Sequence, residues 1–140
     1  MWEVEFVLVS NLREAPRRCA LADLKRFPFI LYQKGSRIED LIDRYFSETG
    51  FSPKVIMTFD TAEAIKAMIR AGLGISMLPM WIVDADLKRG SLSLIRQRER
   101  RLLSRVELVS RKVSRLPHAV QAFIGSARGF RFRAPRLLEH

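Results

Sequence analysis

The sequence is poor in groups that carry out chemistry. It has one cysteine, Cys19, and two histidines, His118 and His140. A single thiol forms no internal disulfide and supplies no cysteine cluster for a metal. No histidine or acid stands next to Cys19 to make it a nucleophile. Neither histidine has an evident nucleophile or carboxylate partner, and no metal-ligand spacing occurs. Catalysis, a metal and a cofactor are therefore not expected. No apolar run approaches the roughly 18–20 residues needed to cross a bilayer, so no membrane partner is expected. The opening Met1-Trp2-Glu3-Val4-Glu5-Phe6 carries two acids and no basic stretch, unlike a secretory leader, and a cytoplasmic location is expected. There is no helix-turn-helix pattern, internal repeat or low-complexity linker.

What is present is a chain of 140 residues, 48% hydrophobic and 29% charged, enough for one compact domain with an apolar core. Its formal charge of +10 is unevenly placed. Residues 1–95 hold 13 basic and 12 acidic side chains, whereas residues 96–115 hold 8 and 2, and residues 128–140 hold 4 and 1. Such a basic third attracts phosphate by counterion release. The densest run, Arg96-Gln97-Arg98-Glu99-Arg100-Arg101, lacks aromatics for base stacking and falls between two strand-like segments. It reads as a solvated loop. Residues 128–140 read as a disordered basic tail, and Leu138-Glu139-His140 resembles the opening of an appended histidine tag.

Strand-like runs occupy residues 4–9, 29–32, 54–59, 75–78, 92–94 and 103–109. Helical patterns alternate with them. Ser36 followed by Glu39 fits a capping box. The helix it opens sets Ile38, Leu41, Ile42, Tyr45 and Phe46 on one face and ends at Gly50. A second helix, capped by Asp60 or Thr61, carries Ala62, Ile65, Met68 and Ile69. A short helix spans 80–87. A last one places Leu116, Ala119, Val120, Phe123, Ile124 and Ala127 in a stripe. The alternation predicts an α/β fold with a largely parallel sheet and helices on both faces.

One segment is more specific. Ala71-Gly72-Leu73-Gly74-Ile75-Ser76-Met77-Leu78-Pro79 is a helix end, a glycine turn and a strand stopped by proline. It resembles the "AGLGIxxLP" signature of LysR-type transcriptional regulators. Leu21-Ala22-Asp23-Leu24 before Phe29-Ile30-Leu31-Tyr32, Gly50-Phe51-Ser52-Pro53, Asp86-Leu87-Lys88-Arg89-Gly90-Ser91-Leu92, and Glu107-Leu108-Val109 before Leu116-Pro117-His118-Ala119 follow that family's order. The resemblance covers residues 3–127. It implies a half domain of the periplasmic-binding-protein type II, Rossmann-like fold: residues 1–127 would be the second regulatory subdomain, with both crossing strands and the last helix. It further implies a small-molecule effector, often a carboxylate, a homo-oligomer, and DNA contact only through an N-terminal winged helix-turn-helix missing from this chain. A solute-binding protein of the same fold and a nonspecific nucleic-acid-binding module are the alternatives.

In open α/β folds ligands sit outside the carboxyl ends of parallel strands. Three segments qualify: Gln33, Lys34, Gly35, Ser36 and Arg37; Thr58 and Phe59; and Leu78 and Pro79. The family resemblance places the first at the effector cleft and often the second. The plainer role of Ser36 is a helix cap, of Thr58 and Thr61 a strand end and the next cap, and of Met77 and Met80 packing.

Overall fold

The computed structural model describes residues 2–106 and 118–129. Seven strands and four helices follow one another as β1 (Trp2–Ser10), β2 (Arg18–Cys19), a 3-10 turn (Leu21–Leu24), β3 (Pro28–Tyr32), α1 (Arg37–Thr49), β4 (Lys54–Phe59), α2 (Ala62–Arg70), β5 (Ile75–Pro79), α3 (Met80–Arg89), β6 (Ser93–Gln97), β7 (Leu102–Val106) and α4 (His118–Gly129). The predicted strand at 103–109 is present as far as Val106; its last three residues lie outside the described residues, as do Leu116 and the basic tail beyond Gly129.

The fold is the expected α/β class with helices covering a mixed sheet. Its strand order is β2-β6-β1-β5-β3-β4, with β7 also on β1. β3 runs parallel to both β4 and β5. β1 runs antiparallel to β5 along one edge, and to β6 and then β7 along the other. Every residue of β5 is buried, so both faces of the sheet are covered at its centre. Strands buried on both sides read as continuous apolar runs, which is why Val7-Leu8-Val9 and Ile75-Ser76-Met77-Leu78 show no alternation.

α1 forms where the 3.6 period is clearest. Ile42, Tyr45 and Phe46 are buried, and Ile38 and Leu41 pack at the rim of the core. Phe46 meets Phe29 edge-on with ring centroids 6.0 Å apart, and Phe51 closes the cluster at 5.6 and 5.4 Å. Such pairs contribute about 0.5–1.5 kcal/mol each beyond their buried area. Gly50 ends the helix in the left-handed region, at φ 73°. Of the proposed capping box only the forward half forms: Ser36 Oγ accepts from the Glu39 amide at 3.0 Å.

The two glycines of the signature segment have different duties. Gly72 takes φ 77° just past α2. Gly74 is wholly buried, and a Cβ there would lie 2.6 Å from the Pro28 carbonyl oxygen. It lets β5 enter the sheet against the start of β3.

The basic run at 96–101 is less of a loop than the sequence implies. Arg96 and Gln97 extend β6, because β2 pairs with them in parallel. The turn after Gln97 is fastened to the domain. Glu99 accepts from the Leu21 amide at 2.8 Å, Arg100 pairs with Glu48 and lies over the Tyr45 ring, and Arg101 reaches Glu5 at 3.7 Å. These nonlocal partners are invisible in the local pattern.

Candidate effector-binding edge

Because β3, β4 and β5 are parallel neighbours, their carboxyl ends lie along one edge of the sheet, and the three predicted segments come together there. The Gln33 amide donates to the Phe59 carbonyl at 2.7 Å, joining the loop after β3 to the end of β4. Gly35 at φ 96° turns the chain into α1, at whose start the Glu39 amide is held by Ser36 Oγ and the Arg37 and Ile38 amides have no intrahelical partner. Gln33, Lys34, Gly35 and Arg37 are exposed and Ser36 is half-buried. Among the described residues Lys34 and Arg37 have no ion-pair partner. Glu39 and Asp40 occupy the same first helical turn and offset the charge of Lys34 and Arg37.

Thr58 is exposed and lies opposite Leu31, while Phe59, opposite Tyr32, is half-buried against the core. Thr61 caps α2 by accepting from the Ala64 amide at 3.2 Å. Leu78 is completely buried and pairs with Val7, so it supports this edge from beneath; Pro79, also buried, pairs with Phe6 and leads directly into α3. Met77 and Met80 are buried, in keeping with packing roles.

Two features here escaped sequence reasoning. Tyr32 is 4% exposed at the end of β3, and among the described residues its hydroxyl finds no partner; burial pushes its pKa up to about 12. Trp81, in the first turn of α3, is 55% exposed although flanked by the buried Met80 and half-buried Ile82. It borders an almost wholly apolar groove of about 490 Å³ with Trp2, Val4, Val106, Phe123 and Ala127. An aromatic residue standing off the apolar stripe of α3 was the available signal.

Three parallel strands with their loops gathered at one edge, beside an antiparallel strand that runs through the sheet, are the architecture of one lobe of a binding-protein-type fold. The family model for the LysR substrate binding domain matches residues 1–130, and the chain belongs to that family. It is 32% identical over 99 residues to the uncharacterized HTH-type transcriptional regulator YusT of Bacillus subtilis, covering 71% of this chain and 34% of that protein. The chain thus spans about a third of that relative's length. Among solved structures, the regulatory domain of Synechocystis CcmR in complex with 2-PG shares the fold at TM-score 0.72 and 21% identity, over 91% of this chain and 63% of the other. The effector binding domain of QuiR in complex with shikimate does so at TM-score 0.68 and 21% identity, over 90% and 60%. These relatives are transcriptional regulators and regulatory ligand-binding domains, not enzymes. Among the described residues no helix is long and apolar enough to cross a membrane.

Proposed function

We propose that residues 1–127 form the second lobe of the effector-sensing part of a LysR-type regulator, and that a small carboxylate-bearing metabolite binds at Gln33, Lys34, Gly35, Ser36 and Arg37. Thr58 and Phe59 form the adjoining wall, and Leu78 and Pro79 the floor. The observation that carries this reading is the convergence of three strand-end loops on one edge, where open α1 amides stand beside the unpaired Lys34 and Arg37. Helix amides without intrahelical partners and the positive end of the helix dipole favour an anion, and guanidinium adds a directional fork. The ligands held by two fold neighbours, 2-PG and shikimate, support a small-molecule role. In the whole regulator the apolar groove by Trp81 receives the other lobe, DNA is contacted by a winged helix-turn-helix outside this sequence, and the protein is a homo-oligomer.

Following backbone amide signals while succinate is added tests the site. The signals of residues 35–39 are expected to shift, with half-saturation at tens of millimolar because one lobe supplies only part of the contacts. Ser36→Ala and Gly35→Val are expected to weaken the response. Unmoved signals at 35–39, or shifts confined to residues 96–101, would remove this site.

A further inference from the structure

The opposite edge of the sheet carries a second and differently built concavity. Ser10, the last residue of β1, pairs with Ile75, the first residue of β5, so this edge is where the parallel strands begin. The chain loops away through residues 11–17 and returns as β2. Beneath the loop lies a cavity of about 280 Å³, walled by the loop and by Ser93, Leu94 and Ile95 of β6. Its lining includes two cations, Arg13 and Arg17, and no carboxylate. Both arginines are exposed, and among the described residues neither has an ion-pair partner.

Two other polar side chains help to shape the loop, and Glu14, exposed between the arginines, does not line the cavity. Asn11 Nδ2 donates to the Arg70 carbonyl at 2.6 Å, and Ser10 Oγ accepts from the Leu12 amide at 2.9 Å. Of the charged side chains in the loop, the two arginines are those that line the cavity. A strand edge supplies the third component. The Arg96 and Arg98 amides donate to the Arg17 and Cys19 carbonyls at 2.8 and 3.0 Å, so this register turns the main chain of alternate residues toward β2. Leu94 precedes them in the same alternation. β2, however, begins only at Arg18, and among the described residues no strand pairs with Leu94 on that side. Its amide therefore faces the space that the arginines border.

We propose that this cavity is a binding site for a small free oxyanion of the phosphate or sulfate class, held by Arg13 and Arg17 and oriented by the Leu94 amide. Two guanidinium groups match the oxygens of such an ion, and an unpaired strand-edge amide adds a fixed donor. The concave walls admit a small ion and not the broad face of a nucleic-acid duplex. Occupancy neutralises the two arginines and fastens the 11–17 loop to β6. The site lies on the edge away from Gln33–Arg37 and does not depend on the effector reading above.

The test is a titration of the isotope-labelled full chain with inorganic phosphate, at an ionic strength held constant with chloride. Saturable shifts of the Leu94 amide and of the Arg13 and Arg17 side-chain signals are expected, with a dissociation constant in the millimolar range. The double variant Arg13→Ala/Arg17→Ala should weaken binding at least about tenfold with the rest of the spectrum preserved. Arg13→Lys/Arg17→Lys, which keeps charge but not the fork, should fall between the two. Shifts that never saturate, or that survive the double alanine variant, mean an adventitious ion only and overturn the proposal. So does a response confined to residues 33–37, or a DNA duplex that displaces phosphate from Leu94 at equal phosphate concentration.

Discussion

Asp86 is wholly buried in α3, where a carboxylate is costly unless paired. Burial by itself raises its pKa, but hydrogen bonds from Arg70, Lys66 and Ser91 outweigh that and hold it well below the usual carboxylate range. Arg70 approaches through Nε at 2.8 Å and Nη2 at 2.7 Å, Lys66 Nζ lies 3.1 Å away, and Ser91 Oγ donates at 3.0 Å. One side chain thereby ties α2, α3 and the turn after α3 together. Asp86→Asn is expected to destabilise the fold by about 3 kcal/mol at neutral pH, because Lys66 loses its buried counter-charge and keeps only the exposed Glu63 at 3.4 Å. The sign with pH follows from the depressed value. Stability from Asp86 is full above the unfolded carboxyl pKa of about 3.9 and fades as pH falls through the folded one. Denaturant unfolding at pH 7 and pH 3 should therefore show the gap between parent and variant narrowing in acid. The sequence held half of this. An acid in step with Met80 and Val83 stands on the buried stripe of α3, a readable anomaly. Its partners Lys66 and Arg70 sit on another helix, and no local pattern links them to it.

At the level of elements, the signature segment works because helix, turn and strand each demand a particular residue. Gly74→Ala is expected to destabilise by about 1–3 kcal/mol, since the added methyl meets backbone rather than a movable side chain. Thermal unfolding measures it, and an unchanged midpoint would mean that β3 yields at Pro28. Elements built on local signals were legible from sequence: α1 from its cap, stripe and closing glycine, and β4 at both of its ends. β6 was read as ending at Leu94, three residues before its end, so that Arg96 and Gln97 fell in a loop. Those residues are strand only because β2, far earlier in the chain, lies beside them. The candidate edge was legible as three loops, since parallel strands must place them together. Which side chains stand open there was not: Leu78 and Phe59 face inward, whereas Trp81 faces out, and tertiary packing decides that.

Across the whole molecule the prominent surface feature is the groove between β1, β7, α3 and α4. Trp81, Val106 and Phe123 are 55%, 47% and 64% exposed around it. Apolar patches of this kind associate. The chain alone is expected to self-associate, its sedimenting mass rising with concentration, and Phe123→Asp is expected to lower that mass. A parent chain that sediments as a compact monomer at every concentration would contradict this. β1 sets a further consequence at this scale. Among the described strands it comes first in the chain, and it holds the sheet together. Yet its partners run from Ile75, opposite Ser10, to Val106, opposite Trp2. Among the described strands none pairs with it until residues 75–79 have been made, and loop-closure entropy delays such distant pairings. Until then no described strand pairs with Val7, Leu8 and Val9, and the acids at Glu3 and Glu5 are the nearby charges that oppose premature association.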